Sequence, residues 1–212
     1  MAEKYYNLSP YAYCANNPVN FVDPDGRKLY FATGVSEKFK QQFAATIRYM
    51  NECGTAGDIA RLESSRVVYY IGEADITQEH WLHFNIKTKT IKWDPNRICQ
   101  SDTGIQVSPA TTLAHEAAHA VQYDAVLNSG NEETVKQWKE SLNHDKNNKY
   151  GSSEEERVIT TTEQEAAQKH GEIRSDQVTR TSHRDKGDRF IIPDGTPPHE
   201  VSRNVYEHNK NL

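Results

Sequence analysis

An apolar stretch in the middle of the chain carries two histidines. It opens with Ser108 and Pro109, a capping residue and then a proline suited to the first helical position, and it runs to about Leu127. His115 and His119 stand four residues apart and therefore share one face of the helix. Because alanine, leucine and valine fill most neighbouring positions, other elements must cover this helix. We expect the core of the protein to form around it.

The histidine pair also predicts a metal site. Two imidazoles one helical turn apart can bind one ion at about 2.0–2.1 Å, the length of a zinc–nitrogen bond. Glu116 follows His115 in the run His-Glu-Ala-Ala-His, which places it beside the ion, where a general base takes a proton from a metal-bound water. The pattern favours zinc-dependent hydrolysis. A pair of hydrogen-bonded core histidines is the alternative that needs no metal.

A catalytic zinc site usually has a third protein ligand. A later helix, predicted to begin near Thr160 and to end at Gly171, offers Glu163 on a face that it shares with two alanines and His170. Glu165 lies on the opposite, polar face. We therefore favour Glu163 over Glu165 as the third ligand. A first-turn glutamate without a metal role and a histidine ligand at His170 remain alternatives.

The rest of the chain predicts a mixture of helices and strands. Residues 128–157 are polar and predict a mobile excursion without regular structure. The other predicted elements are an amphipathic helix over residues 35–53, a strand over 66–71, a hairpin over 80–93 and a short strand at 190–192. The predicted fold class is α+β, with the histidine-bearing helix packed on a small, mostly antiparallel sheet and a second helix supplying a ligand.

Composition excludes several classes of protein. Lys and Arg number 25 against 30 Asp and Glu, a net charge of -5, which argues against a protein whose main partner is nucleic acid. No apolar run approaches the roughly 20 residues of a membrane span, so no membrane partner is expected. Cys14, Cys53 and Cys99 form no C-x-x-C pair, which disfavours a thiolate zinc site or a disulfide framework.

Residues 1–27 differ from the remainder. Tyrosine, asparagine and proline dominate them, and no helix or strand period develops. The run from Leu8 to Tyr13, the triplet Asn16-Asn17-Pro18 and the turn Asp23-Pro24-Asp25-Gly26 resemble the end of the RHS-repeat-associated core. The resemblance implies that residues 28–212 are the C-terminal effector or toxin domain of a larger secreted or cell-surface protein. An upstream RHS shell and an immunity protein are then expected partners.

The residues of the predicted site resemble those of the zincin metallopeptidases. His115, Glu116 and His119, followed after a 43-residue loop by Glu163, are similar to the glutamate-ligand branch, including effectors at the ends of RHS proteins. The resemblance implies a zincin-like fold, Zn2+ bound by His115, His119 and Glu163, and peptide hydrolysis with Glu116 as general base. Zincins often hold the oxyanion with a Tyr, His or Arg, for which the chain offers Tyr123, Arg174, His183 and Arg184.

Two other functions and one substrate-binding hypothesis accompany this interpretation. A metal-dependent nuclease toxin is one alternative, although the acidic composition disfavours it. A non-catalytic module with a structural metal site is the other, and a fourth protein ligand such as His170 would indicate it. For the peptidase, the hairpin ending at Trp93 is predicted to supply an edge strand along which an extended peptide substrate lies, and proline substitutions at residues 90–92 would test it.

Overall fold

A computed structural model describes residues 28–212 except Ile76, residues 78–81 and Arg184, with the backbone alone for residues 185–188. The fold is α+β, as predicted. The helices are α1 (Glu37–Glu52), α2 (Gly57–Glu63), α3 (Pro109–Asn128), α4 (Glu132–Ser141), α5 (Ser153–Val158), α6 (Gln164–Lys169) and α7 (Pro198–Asn209), and a π-helical turn, Ile159–Glu163, joins α5 to α6. The strands are β1 (Leu29–Phe31), β2 (Tyr69–Glu73), β3 (His83–Asn85), β4 (Thr90–Trp93), β5 (Arg97–Ser101), β6 (Gln106–Val107) and β7 (Asp185–Ile191).

The strands form two small sheets. The first has the order β1-β2-β4-β3, in which β1, β2 and β4 run parallel and β3 is antiparallel to β4. The second, β6-β5-β7, is antiparallel throughout. The prediction of a mostly antiparallel sheet is therefore wrong for the first sheet, on which α3 packs. The hydrophobic pattern of its strands does not reveal their direction, because buried parallel and antiparallel strands read alike over four or five residues.

The arm of the hairpin at residues 90–92 is not the edge strand on which a peptide substrate could lie. These residues belong to β4, which is bonded to β2 on one side and to β3 on the other. Both edges of β4 are occupied, so it has no free backbone groups to offer an extended peptide. The strand at that edge of the sheet is β3, the first arm of the hairpin.

Several predicted elements are confirmed. α1 falls within residues 35–53, and the Ser36 hydroxyl caps it by accepting a hydrogen bond from the Phe39 N–H at 3.1 Å. The hairpin is present as β3 and β4, and β7 includes the strand expected near Phe190. By contrast β1, α2, β5, β6 and α7 were not predicted. The strands and α2 are short and of mixed polarity, so they carry little periodic signal, whereas α7 was missed because its sequence is mostly polar. The segment 1–27 and its RHS resemblance lie outside the described residues.

The prediction of an irregular excursion over residues 128–157 is wrong. It contains α4 and all of α5 but its last residue. Each helix is capped by an asparagine or serine, Asn131 for α4 and Ser152 for α5. Trp138 fixes α4 by burying its indole beside Tyr123 of α3, with ring centroids 5.1 Å apart. One buried aromatic thus holds a helix whose other side chains, apart from Val135, are polar, and composition alone does not reveal it.

The core lies between the first sheet and α3. Trp93 of β4 is completely buried, packs edge-on against Phe39 of α1, and donates a hydrogen bond from its indole nitrogen to the Pro109 carbonyl at 2.8 Å. This bond ties the start of α3 to the sheet. Leu113 and Ala117 of α3 have no exposed surface, as expected for a helix covered on most sides. No helix in the described part of the chain is long and apolar enough to cross a bilayer.

Candidate metal centre

α3 presents its two histidines away from the sheet and toward the helical unit formed by α5, the π turn and α6. Its first turn is fixed because Ser108 caps it and the carboxylate of Glu172, from beyond α6, accepts hydrogen bonds from the Ser108 N–H at 3.1 Å and the Thr111 hydroxyl at 2.9 Å. His115 and His119 are 6% and 9% exposed. Buried imidazoles on a fixed helix need polar partners, and the facing unit supplies carboxylates.

Three side chains bring their ligand atoms together. Nε2 of His115 lies 3.1 Å from Nε2 of His119. The Glu155 carboxylate lies across both, with Oε2 3.4 Å from Nε2 of His115 and Oε1 3.2 Å from Nε2 of His119. Ligands about 2.0–2.1 Å from a tetrahedral ion lie roughly 3.3–3.4 Å from one another. Each of the three spacings is close to that value, although the two distances to Glu155 involve different oxygens, and these residues form a group that could hold an ion.

The other nitrogen of each imidazole faces a second carboxylate. Nδ1 of His119 lies 3.1 Å from Oε1 of Glu154. Nδ1 of His115 lies 2.8 Å from Oε2 of Glu163, an ion-pair distance without the alignment of a hydrogen bond. A carboxylate at Nδ1 keeps the proton there and leaves the Nε2 lone pair for a metal. Both Nε2 atoms point at the Glu155 carboxylate.

Glu155 differs from Glu154 and Glu163 in the groups that balance its negative charge. Arg157 binds Glu154 through two nitrogens, and Arg180 binds Glu163 in the same way. Glu155 contacts imidazoles rather than an arginine, and its buried Oε2 accepts no hydrogen bond from the described residues. A buried carboxylate oxygen without a hydrogen-bond donor destabilises the folded protein unless a cation binds it. Glu155 therefore fits the role of the third ligand.

The π turn explains how one helical unit reaches His115 from two sides. In an uninterrupted α-helix, Glu155 and Glu163 would project about 80° apart, at about 100° per residue. A π turn contains one residue more than an α-helical turn, and this residue shifts the relative direction of the two side chains by roughly 100°. Glu155 and Glu163 therefore project only about 20° apart, on the same face. Thr160 and Thr161 donate from their hydroxyls to the carbonyls of the preceding turn, both at 2.6 Å, bonds of the kind that bend helices.

These contacts determine the pKa values of the two histidines and of Glu155. Burial opposes protonation of His115, but the carboxylates of Glu155 and Glu163 outweigh it and raise the pKa of His115 to about 10. The pKa of His119 is also raised, because its contacts with Glu154 and Glu155 outweigh the opposing effect of burial. The pKa of Glu155 is lowered well below its usual range, since the two histidines overcome the effect of burial. Without a metal the cluster holds protons between imidazole and carboxylate, and a cation would take their place.

Glu116 lies beside this cluster, as the sequence predicts. It is 7% exposed, and burial raises the pKa of its carboxyl. The charges of His115 and His119 oppose this shift, so Glu116 is within electrostatic range of both imidazoles. A carboxyl group with a raised pKa is better suited to general-base chemistry near neutral pH than an exposed glutamate.

Glu163 and Glu165 occupy the faces predicted for them, but Glu163 is not placed with the converging ligand atoms. Glu163 is 1% exposed and contacts His115 at Nδ1, on the far side of the ring from Glu155. Glu165 faces solvent and pairs with Lys169 at 2.6 Å. Periodicity identified the inward face correctly. It missed Glu155 because that residue falls in the segment expected to be irregular, and the signal that could have found it is Ser152, which caps α5.

His170 is not placed at the cluster. Its two ring nitrogens lie 2.8 Å from the Thr55 hydroxyl and 2.9 Å from the Thr111 hydroxyl, so both already have partners. The imidazole joins α3 to the segment between α1 and α2. This arrangement does not support His170 as a metal ligand.

Among the residues considered for the oxyanion, His183 is beside the cluster. Its Nε2 lies 3.5 Å from Oε2 of Glu155, and about half of its side chain is exposed. Tyr123 instead packs between Phe84 and Trp138, and Arg174 binds Asp176 and a backbone carbonyl near the C-terminus. Arg184 lies outside the described residues. His183 thus stands where the cluster meets solvent.

Comparison with known proteins identifies no relative: no family model, no curated protein and no solved structure matches the chain. The functional conclusion therefore depends on the chemistry of the cluster. Two imidazoles and one carboxylate suit zinc, and the same set also suits ferrous iron.

Proposed function

We propose that the protein is a zinc-dependent metallopeptidase whose ion is held by His115, His119 and Glu155. The observation that carries the proposal is the convergence of these three ligand atoms with a buried Glu116 beside them. Glu163 is reassigned from ligand to ion-pair partner of His115 at Nδ1, because Arg180 already neutralises it.

In this proposal Glu116 is the general base. It accepts a proton from the attacking water and later delivers it to the leaving amine. A zinc ion would supply polarisation of the scissile carbonyl and acidification of the water. His183, with its exposed imidazole next to Glu155, is positioned to donate a hydrogen bond to a substrate oxygen.

The fold supports a zincin-like interpretation in three respects. The histidine helix α3 packs on a small sheet, an edge strand runs antiparallel to its neighbour, and a second helical unit supplies the acidic ligand. β3, which lies at the edge of the sheet, takes the place of residues 90–92 as the strand along which we expect an extended peptide to bind. His83 of β3 is one of the charges that act on Glu116, so this strand lies on the side of the general base.

The biological setting that we propose is the C-terminal effector domain of an RHS-repeat protein, secreted or at the cell surface. It is supported by the sequence resemblance within residues 8–26 alone. Co-expression of residues 28–212 with the protein encoded immediately downstream tests it. A specific complex that suppresses peptide hydrolysis is expected, and no interaction would count against an effector paired with an immunity protein.

Metal content tests the site. Natively purified protein should contain about one zinc per chain. Glu155→Gln and His119→Ala should contain none, while Glu156→Gln, a change at the adjacent residue, should keep its metal. A wild-type protein that takes up no zinc would overturn the proposal. One that carries iron instead would point to redox chemistry.

Hydrolysis of a fluorescently labelled unfolded protein tests the reaction. Glu116→Gln should keep its zinc and lose turnover by at least about a hundredfold, because a general base typically contributes 10²–10⁴-fold. Glu116→Gln that retains wild-type turnover would remove Glu116 from the mechanism. RNA or DNA degradation by the wild type, abolished in His115→Ala, would favour the nuclease instead.

A structural metal site is the second candidate, and one observation favours it. Nε2 of His183 lies 3.5 Å from Oε2 of Glu155, close to the spacing of two ligands on one tetrahedral ion. A closed four-ligand site would exclude water. His183→Ala then distinguishes the two functions: loss of the metal supports the structural site, whereas retained metal with reduced turnover supports the peptidase.

A further inference from the structure

Each histidine of the cluster is held by a carboxylate that is itself held by an arginine. On the His119 side, Oε1 of Glu154 lies 3.1 Å from Nδ1 of the imidazole. Arg157, one turn further along α5, donates from Nε to Oε2 of Glu154 at 2.9 Å and from Nη2 to Oε1 at 2.6 Å. This two-point contact fixes the plane of the carboxylate.

The same arrangement occurs on the His115 side, from a different part of the chain. Glu163, at the end of the π turn, faces Nδ1 of His115. Arg180 donates from Nε to Oε1 of Glu163 at 2.9 Å and from Nη2 to Oε2. The Arg180 side chain is 19% exposed, against 37% for that of Arg157. The more deeply buried arginine thus comes from the loop after α6.

A carboxylate fixed at two points has two effects on its histidine. It keeps the proton on Nδ1, so that the Nε2 lone pair faces the ion. The arginine also prevents the carboxylate from rotating toward the ion and competing with Glu155. Both effects lower the reorganisation that metal binding requires, because the rings already have the correct direction and the ion has only to displace the proton on Nε2.

We propose that Arg180 is a positioning residue of the metal site and acts through Glu163, and that Arg157 acts through Glu154 in the same way. The inference rests on the proposed metal site. It goes beyond that proposal because it assigns metal affinity to a loop residue that touches no ligand atom.

A double-mutant cycle tests the assignment. Zn2+ affinity is measured by competition with a chelator for Arg180→Gln, Glu163→Gln and the double variant. Each single change should weaken binding by about 10–100-fold, the usual effect of removing an outer partner of a histidine ligand. If Arg180 acts through Glu163, the double variant should bind no more weakly than Glu163→Gln. Fully multiplicative losses, or wild-type affinity in Arg180→Gln, would overturn the proposal.

Matched controls separate positioning from general stability. Two variants serve as controls: Glu165→Gln, on the exposed face of the same helical unit, and Arg174→Gln, a partly exposed arginine of the same loop that binds Asp176. Both should leave zinc affinity within about twofold of wild type. The visible spectrum of Co2+-loaded Arg180→Gln should differ from that of wild type, because the His115 ring is no longer held. An unchanged spectrum together with a lower Tm of the metal-free protein would indicate a merely structural role.

The outcomes for the ligand and for its positioning are distinguishable. A wild type that binds no ion overturns both proposals. Metal loss in Glu155→Gln with wild-type affinity in Arg180→Gln and Arg157→Gln overturns the positioning proposal alone. Complete metal loss in Glu163→Gln with retention in Glu155→Gln would make Glu163 the ligand, as the sequence first predicted, and would also overturn the positioning role.

Discussion

At the scale of single residues, Glu172 shows how a buried charge can fix the helix that carries the site. Its carboxylate has no exposed surface and accepts hydrogen bonds from the hydroxyls of Ser108, Thr111 and Ser202 and from the Ser108 N–H. Four donors and the positive end of the α3 dipole compensate for the loss of hydration. The cap of α3 and the final helix α7 therefore share one acceptor.

Glu172→Gln should destabilise the metal-free protein by about 2–3 kcal/mol, because an amide group replaces one accepting oxygen and faces donors that then have no acceptor. Urea unfolding measures the change. Glu200→Gln, an exposed position in the first turn of α7, is the control and should shift stability by less than about 0.5 kcal/mol. Equal stability of the two variants would mean that water or neighbouring groups satisfy the donors.

The residue scale also shows which part of the site can be predicted from the sequence. His115, Glu116 and His119 form a local pattern on one helix, so their proximity follows from helical geometry alone. Glu163 was correctly expected to face inward. Glu155 was missed because its position depends on where α5 begins and on the π turn that follows. Neither is encoded by hydrophobic periodicity.

At the scale of elements, the π turn is the feature that brings two carboxylates to one histidine. The threonine run before Glu163 suits it, since Thr160 and Thr161 both bond backwards to carbonyls of α5. The helix predicted over residues 160–171 therefore overlaps the π turn, which hydrophobic periodicity did not indicate. π turns are frequent at functional sites because they re-aim side chains without ending the helix.

Deletion of Thr161 should convert α5, the π turn and α6 into one regular α-helix. Glu155 would then rotate by about 100° relative to Glu163, and one of the two would leave the cluster. We expect helical content by circular dichroism to be unchanged and tight zinc binding to be lost. Thr161→Ala keeps the residue count and should still bind zinc. Tight zinc binding by the deletion variant would show that Glu155 and Glu163 need not share a face.

At the scale of the whole molecule, the site joins α3 to the helical unit of α5, the π turn and α6. α3 belongs to the core on the first sheet, whereas α5, the π turn and α6 pack against the other side of α3. Ala166 of α6 packs in the same core as α3, and Val158 and Ile159 are buried. The imidazoles and carboxylates of the cluster add polar contacts, and an ion bound between α3 and α5 should add further to the cohesion of this junction.

Zinc should raise the thermal stability of the wild type. At a free concentration a hundred times the Kd, binding adds about 2.7 kcal/mol to the free energy of unfolding. For a chain of 212 residues this corresponds to an increase in Tm of about 5–11 °C. Calorimetry with and without zinc measures it, with His119→Ala as the variant that should not respond. Equal Tm values for the wild type in zinc and in chelator would contradict binding at this junction.

The π turn also bears on how relatives of this chain can be recognised. Glu154 and Glu155 are followed by Arg157 and then, after five intervening residues, by Glu163. A homologue that keeps the site should keep these five intervening residues, because four would turn Glu155 away from Glu163. The distance from His119 to this run is set by α4 and surface loops, where insertions are tolerated. Searches should therefore weight the short acidic run and its arginine above the spacing from the histidines.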